Sequence, residues 1–209
     1  MGVKVKVCGL TDAEDALFAA EVGADYLGFV LYPKSPRFVP PDRAASILKR
    51  LPEGVKKVAV VVNAEPEFLK RLLDAGFDLL QLHGDEDPSI LKEVPASRVI
   101  KAFRVKGELD EALLKSWRGV HAYLLDAYKK GAYGGTGETF DWSVARRLVE
   151  RGYRIFLSGG LKPETVERAV SEVCPYAVDA SSGLEREKGK KDPRKVELFV
   201  KRAKGVSCG

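Results

Sequence analysis

Short runs of β-branched and aliphatic residues recur along this chain at nearly even intervals, with longer amphipathic segments between them. The runs predicted as strands are residues 3–7, 26–30, 57–62, 79–82, 99–103, 122–126, 154–158 and 177–179. Helical periodicity marks segments such as 12–22, 66–75, 142–151, 164–173 and 195–204. This alternation predicts a parallel α/β fold, because parallel strands need a crossover connection.

The spacing of the strand ends selects one architecture within that class. The ends follow one another at about 24 residues on average, with longer steps of 32 residues after Val30 and after Asp126. A doubly wound sheet contains an irregular crossover, whereas equal units favour a (β/α)8 TIM barrel. Because the loops after the strands form the active face of such a barrel, the two long steps are candidate functional loops.

The composition is typical of a globular protein. Hydrophobic residues make up 45% and charged residues 31% of the chain, and no linker divides it, so we predict one barrel domain over residues 1–209. No apolar run has the length of a membrane span and no signal peptide is visible, which predicts a cytoplasmic protein without a membrane partner. Scarce amides and a single methionine, beside abundant Lys, Arg and Glu, suggest a thermophilic source.

The charged, cysteine and histidine residues exclude several classes. Lysines and arginines are scattered, so nucleic acid is not an expected partner, while the net charge of +5 suits an anionic ligand. Cys8, Cys174 and Cys208 form no CxxC pair, so neither a disulfide framework nor a zinc site is indicated. His83 and His121 share no ligand spacing, so we expect no metal and interpret each as a structural or surface histidine.

Cys8 lies where the first strand passes into a helix. Period-2 alternation places Lys4, Lys6 and Cys8 on one strand face. Thr11 and Glu14 then fit a capping box that opens the helix. Two interpretations stay open. Cys8 is a small buried residue in the turn, or it is a reactive thiol whose thiolate is favoured by the helix N-terminus.

Two aspartates end predicted strands. Asp126 closes the sixth strand after a wholly apolar run, and Asp179 closes the eighth. A carboxylate in such a place is paired or functional, or it caps the following turn. The spacing alone does not choose between the two acids.

Three loops after strands carry candidate ligand groups. Two prolines stiffen the loop after the second strand, where Arg37 either binds a carboxylate or lies in a basic surface loop. Small residues follow the seventh strand at Gly160 and the eighth at Ser181, Ser182 and Gly183, and together these loops predict the phosphate site usual in such a barrel. The glycine-rich segment 131–137 is interpreted as a mobile lid.

These motifs together resemble the phosphoribosylanthranilate isomerase family through nearly the whole chain. The matching segments are KVCG at 6–9, GF at 28–29, SPR at 35–37, QLHG at 81–84, LD at 125–126, GGTG at 134–137, FDW at 140–142, SGGL at 158–161, VDASSG at 178–183 and KD at 191–192. Their order across eight strands is specific. One departure is Lys162, where the family often has Asn, beside the phosphate loop.

The resemblance implies an Amadori rearrangement of N-(5'-phosphoribosyl)anthranilate that needs no cofactor or metal. It assigns the general base to Cys8 and the general acid to Asp126, with Arg37 on the anthranilate carboxylate. Gly160, Ser181, Ser182 and Gly183 would then bind the phosphate. We expect the start of the first helix and Lys6 to favour the Cys8 thiolate. The family contains monomers and homodimers, so the sequence leaves the oligomeric state open.

Other enzymes and a binding protein remain as alternatives. The histidine-pathway ribonucleotide isomerase performs similar chemistry with two aspartates, against which Cys8 argues. Indole-glycerol-phosphate synthase needs a set of catalytic lysines and a longer N-terminal extension. A non-catalytic barrel that binds a phosphorylated ligand is the alternative outside enzymes.

Overall fold

Eight parallel strands close into a barrel in sequence order. The structure, a computed structural model, describes residues 2–127 and 141–208. The strands are β1 (Lys4–Val7), β2 (Tyr26–Val30), β3 (Lys56–Val61), β4 (Leu79–Leu82), β5 (Val99–Val105), β6 (Ala122–Ala127), β7 (Ile155–Leu157) and β8 (Ala177–Ala180). β8 pairs with β1, with Lys6 opposite Asp179. The predicted (β/α)8 TIM barrel is confirmed.

Helices pack around the barrel. They are α1 (Ala13–Glu21), α2 (Pro41–Leu48), α3 (Pro66–Asp74), α4 (Glu111–Ser116), α5 (Ser143–Glu150), α6 (Val166–Val173) and α7 (Pro193–Gly205). Between β4 and β5 the chain forms two 3-10 turns, Pro88–Lys92 and Ala96–Arg98, because Pro95 interrupts any longer helix there. After β8 come a 3-10 turn, Ser182–Leu184, and an antiparallel hairpin of β9 (Glu185–Glu187) and β10 (Lys190–Lys191).

The first helix begins one residue later than the sequence predicts. Asp12 is its N-cap and accepts a 2.9 Å hydrogen bond from the backbone N–H of Asp15. Thr11 instead donates its hydroxyl to the carbonyl of Gly189, 2.5 Å away in the hairpin turn. The capping box expected from Thr11 and Glu14 is therefore wrong, since the Thr11 hydroxyl is used in a long-range contact.

Apolar residues form two layers, one beneath the helices and one inside the barrel. Outward-facing strand residues such as Val5 and Val7 pack in the large cluster beneath the helices. Inward-facing residues fill the barrel interior: Tyr26, Val58, Leu79, Ile100, Ala102, Ala122, Leu124, Phe156 and Ala177. Inward-facing polar side chains lie above this apolar interior layer, at the carboxyl ends of the strands. The functional site is therefore confined to that end.

Every helix within residues 2–127 and 141–208 is too short or too polar to serve as a membrane span. The glycine-rich segment 131–137, interpreted as a lid, lies outside the described residues.

Candidate active site

A cavity of about 510 Å³ opens at the carboxyl ends of the strands. Six of the seven residues singled out from the sequence line it: Cys8, Arg37, Asp126, Gly160, Ser181 and Ser182. The seventh, Gly183, lies against the loop after β7, where a Cβ would stand 2.1 Å from the carbonyl oxygen of Leu161. Only glycine allows this close approach, so Gly183 holds the two loops together.

Cys8 lies at the end of β1 with only 7% of its surface exposed. Its backbone N–H donates to Ala180 of the neighbouring strand at 2.9 Å. Gly28 leaves the space that the thiol occupies, because a Cβ there would stand 2.7 Å from Cys8 Sγ and 3.2 Å from Lys6 Nζ. The sulfur and the Lys6 ammonium therefore share one inner face, as the period-2 pattern predicts.

Opposing influences act on the ionisation of Cys8. Burial raises the pKa of the thiol, and the nearby Asp179 carboxylate raises it further, while the ammonium groups of Lys6 and Lys191 lower it. The sum lies above the ordinary thiol pKa. Lys6 thus acts in the direction expected, but desolvation outweighs it. The Lys6 ammonium therefore favours the Cys8 thiolate, as expected, while burial acts more strongly in the opposite direction and raises the pKa of the thiol.

Lys6 and Asp179 form a buried ion pair. Lys6 Nζ lies 2.8 Å from Asp179 Oδ1, and Lys6 has no exposed surface. The Ser158 hydroxyl donates to Asp179 Oδ2 at 2.9 Å, so each carboxylate oxygen has a partner. Burial alone would lower the pKa of Lys6, but Asp179 and Cys8 raise it above its ordinary value. Lys6 therefore keeps its positive charge and neutralises Asp179.

Asp126 has different surroundings, although it is as deeply buried. Its Oδ1 accepts a 2.9 Å hydrogen bond from the backbone N–H of Ala127. Its Oδ2 lies 3.4 Å from Nε2 of His83. Gln81 Nε2 lies 2.8 Å from the other ring nitrogen of that histidine. No ammonium or guanidinium contact comparable to the Lys6–Asp179 pair is recorded for Asp126 among the described residues.

His83 is a residue that sequence reasoning misplaced. It lines the cavity and is 8% exposed, so it is neither a surface residue nor part of the apolar core. A signal was available: Gln81 and His83 are two residues apart at the end of β4 and therefore point to the same face as the other inner residues. His121, by contrast, lies at the opposite end of the barrel, 3.3 Å from the Tyr26 hydroxyl.

Arg37 is fixed by an acid that the sequence analysis did not identify. Its Nε and Nη2 donate to the two carboxylate oxygens of Glu185 at 2.6 and 2.8 Å. Lys191 Nζ lies 3.3 Å from the same carboxylate and donates to the Ser181 carbonyl at 3.0 Å. Burial would raise the pKa of Glu185, but Arg37 and Lys191 hold it below its ordinary value. The guanidinium is therefore aimed by a charged partner.

The loops after β7 and β8 bring backbone close to the cavity. Gly159 and Gly160 have φ of +89° and +68°, a conformation that favours glycine. Lys162, the departure from the family pattern, has an exposed side chain, and its carbonyl accepts from the N–H of Val166 at the start of α6. Its backbone thus supports the turn beside the cavity.

A closed barrel whose ionisable groups and glycine-containing loops converge above the strands is a (β/α)8-barrel enzyme. Among the described residues, no group of three or more His, Cys, Asp or Glu side chains is placed to hold a metal ion. Residues 5–202 match the family model for N-(5'phosphoribosyl)anthranilate (PRA) isomerase. The chain belongs to this family.

Curated relatives and solved structures agree with the family match. The N-(5'-phosphoribosyl)anthranilate isomerase of Aquifex aeolicus is 56% identical over 97% of this chain and 98% of its own length. The Citrifermentans bemidjiense enzyme is 51% identical, over 98% of each chain. The crystal structure of the Thermotoga maritima enzyme has a TM-score of 0.89 and 42% identity, over 98% of this chain and 100% of that one. A further structure of such an isomerase, 41% identical with a TM-score of 0.86, is a complex with reduced 1-(o-carboxyphenylamino)-1-deoxyribulose 5-phosphate.

Proposed function

We propose that this enzyme converts N-(5'-phosphoribosyl)anthranilate to 1-(2-carboxyphenylamino)-1-deoxyribulose 5-phosphate, with Asp126 as general acid and Cys8 as general base. The observation that carries the proposal is the difference between the two strand-end acids. Asp179 is paired with the Lys6 ammonium and accepts a hydrogen bond from Ser158, whereas no described residue gives Asp126 such a cation, and Asp126 lines the same cavity as the thiol. One cavity therefore holds one available acid and one available base.

The acid acts first, at the furanose ring. Asp126 gives its proton to the ring oxygen while the C1'–O bond breaks and the bonding pair stays on oxygen. The lone pair of the anthranilate nitrogen forms the C=N bond that replaces it. The aspartate ends as a carboxylate, and the sugar is open.

The base acts next, at C2'. Cys8 as thiolate takes the proton from C2', and the electrons of that bond form a C1'–C2' double bond, giving an enol that is also an enamine. Return of a proton to C1' and loss of the O2' proton give the ketone. C1' is reduced and C2' oxidised within one molecule, so the reaction balances without an external redox partner. The Lys6 ammonium stabilises the thiolate that burial opposes.

Two anionic groups of the substrate fix its position. Arg37, held by Glu185, is proposed to bind the anthranilate carboxylate with the N–H groups that do not donate to Glu185. Gly160, Ser181 and Ser182 are proposed to bind the phosphate, and Gly183 keeps their loops in contact. Holding both ends aligns the ribose between acid and base, an effect that in well-oriented systems reaches several kcal/mol.

Loss of fluorescence of phosphoribosylanthranilate measures the reaction directly. We expect Cys8→Ser and Asp126→Asn each to reduce kcat by about 10²- to 10⁴-fold, the usual contribution of one acid or base step. Cys208→Ser, a change in an exposed cysteine of the C-terminal tail, is the matched control and keeps full turnover. Turnover that survives in either site variant removes that residue from its proposed role.

The same assay separates the proposal from its alternatives. A non-catalytic binding barrel would bind reduced 1-(o-carboxyphenylamino)-1-deoxyribulose 5-phosphate without consuming phosphoribosylanthranilate. A histidine-pathway isomerase would turn over its own ribonucleotide instead. We expect turnover of phosphoribosylanthranilate by the purified chain with no metal or cofactor added.

A further inference from the structure

Two buried polar atoms at the carboxyl end of β4 lack a hydrogen-bond partner within the part of the chain that the structure describes. They are Oε1 of Gln81 and Nε2 of His83. Gln81 is 1% and His83 8% exposed, and both residues line the cavity. Buried side-chain polar atoms normally have partners, so two unsatisfied ones side by side in a reaction cavity point to a role in the reaction.

The contact between the two side chains sets the form of the imidazole. Gln81 Nε2 lies 2.8 Å from His83 Nδ1. An amide nitrogen only donates, so Nδ1 accepts and the single proton of the neutral ring lies on Nε2. That Nε2 is 3.4 Å from Oδ2 of Asp126. The N–H group of His83 therefore lies beside the acid proposed for ring opening without being hydrogen-bonded to it.

The length of this contact indicates when it matters. At 3.4 Å it is longer than a good N–H···O hydrogen bond, which measures about 2.7–3.2 Å. A weak interaction with a neutral carboxylic acid becomes stronger once the acid has given up its proton and carries a negative charge. An interaction that strengthens as the reaction proceeds lowers the barrier, whereas one of constant strength does not.

We propose that His83 is a positioning residue that acts through Asp126, and that Gln81 acts by fixing its tautomer. As the Asp126 proton moves to the furanose oxygen, the His83 Nε2–H donates to the carboxylate that forms on Oδ2. The Ala127 N–H already holds Oδ1, so both oxygens of the new anion are then stabilised. His83 neither gains nor loses a proton. This inference rests on the proposed role of Asp126.

Nuclear magnetic resonance of the ring nitrogens tests the tautomer without any use of activity. The chain has two histidines, so ¹⁵N-histidine labelling gives two ring systems, and His121→Gln identifies the signals of His83. We expect His83 to be protonated on Nε2 in the wild type and to become a mixture of tautomers in Gln81→Met, which keeps the side-chain length without the donor. Protonation of wild-type His83 on Nδ1 overturns the inference.

Steady-state kinetics test the consequence for ring opening. His83→Leu removes the donor, and we expect kcat to fall about 10- to 100-fold, at or below the effect of losing one oxyanion-hole donor, with KM unchanged within about threefold. His83→Gln places an amide N–H near the position of Nε2, so we expect it to recover most of the loss. Gln81→Met reduces kcat less than His83→Leu does. The same Leu and Gln substitutions at His121 are matched controls and leave kcat unchanged.

Each outcome separates a positioning role from mere packing. A packing role predicts that His83→Gln is no better than His83→Leu, or that both keep full kcat, and either result overturns the inference. Binding of the reduced product analogue shows that the variants are folded. If His83→Leu does not fold, Gln81→Met decides, because unchanged kcat beside a mixed tautomer contradicts the proposal.

The failure of the inference is distinguishable from failure of the proposed function. Full turnover by Asp126→Asn would show that Asp126 is not the general acid, and the proposed function of this residue would fail whatever the tautomer of His83. If Asp126→Asn is inactive and His83→Leu is fully active, the role of Asp126 stands and only the role of His83 is contradicted.

Discussion

Arg37 donates two parallel hydrogen bonds to Glu185, from Nε at 2.6 Å and from Nη2 at 2.8 Å. The pair joins the loop after β2 to the hairpin that follows β8. A forked guanidinium has no rotational freedom left, so its remaining N–H groups keep one direction. The acid that orients Arg37, the residue proposed to bind the substrate carboxylate, therefore lies 148 residues away from it in sequence.

Glu185→Gln removes the charge of this pair but keeps its shape. We expect KM to rise about tenfold with a smaller change in kcat. The reason is that Arg37 is no longer held in one orientation, whereas the proposed acid and base of the reaction are unchanged. The free energy of unfolding should fall by about 2–3 kcal/mol, since a buried guanidinium loses its anionic partner. Glu187→Gln, an exposed change in the same strand, is the control in the fluorescence assay and in urea unfolding. Equal KM for the two variants contradicts this explanation.

The ionisation of Cys8 is open to direct titration in a Cys174→Ser, Cys208→Ser background, where it is the only thiol. Because burial raises the pKa of Cys8, we expect thiolate absorbance near 240 nm to appear above the ordinary thiol range of about 8.5. kcat/KM, which reports the free enzyme, should rise with pH through the same midpoint.

Lys6→Met with Asp179→Asn removes the neighbouring cation without leaving an unpaired acid. Among the influences on the thiol, the Lys6 charge ranks next after burial, so the midpoint should move further up in this double variant. A midpoint no higher than that of Asp179→Asn alone would show that Lys6 has no part in the ionisation.

Gly9 lies between the two regions proposed to bind the anionic groups of the substrate. Its φ is +73°, and a Cβ there would stand 2.5 Å from Ser181 Oγ and 2.6 Å from Arg37 Cδ. Gly9→Ala should therefore raise KM at least tenfold, because both groups must shift. Gly152→Ala is matched in backbone conformation, with φ of +85° and nothing within 4 Å of the added Cβ. Both variants should lose about 1–2 kcal/mol of stability from backbone strain, but only Gly9→Ala should change KM.

His121 makes stability depend on acid pH. Burial, with Arg154 and Lys56 nearby, lowers the pKa of His121 to about 4 from an ordinary 6.5. The unfolded chain takes up this proton first, so the stabilisation is complete above pH 6.5 and is lost as the pH falls toward 4. After discounting for the partial exposure of the ring, the loss should be about 2 kcal/mol. Urea unfolding at pH 7 and 4.5 should show that much less pH dependence in His121→Gln than in the wild type.

The strands were predictable because their signal is local. β2 and β4 have the predicted bounds, and the other strands differ by one or two residues at one or both ends. Buried parallel strands are short apolar runs, and the helices between them carry an independent periodicity. The wrong capping box shows the limit: the Thr11 hydroxyl has a partner in the hairpin at Gly189, and local sequence contains no information on that contact.

The candidate site was partly predictable for the same reason. Cys8 and Asp126 could be placed beside the cavity because a barrel brings all its strand ends to one face, but the choice of Asp126 over Asp179 came only from the family resemblance. Glu185 could not, since it becomes a partner of Arg37 only through a hairpin whose position the sequence does not show. The effect of Lys6 on the Cys8 pKa could be predicted because the cation is visible in the sequence, whereas the opposing effect of burial could not, since the loss of water around the thiol depends on the packing of the whole barrel.

The ion pair between Lys6 and Asp179 joins the first strand of the barrel to the last. Until β8 packs beside β1, Lys6 lacks the Asp179 carboxylate that balances its charge in the folded barrel, and the electrostatic environment of the Cys8 thiol is not yet fixed. A chain that stops before residue 177 would contain Cys8 but would lack the ion pair that sets the charge next to its thiol. The electrostatic environment of the Cys8 thiol is thus a property of the closed circle of strands, because β8 supplies the carboxylate that pairs with the lysine beside it.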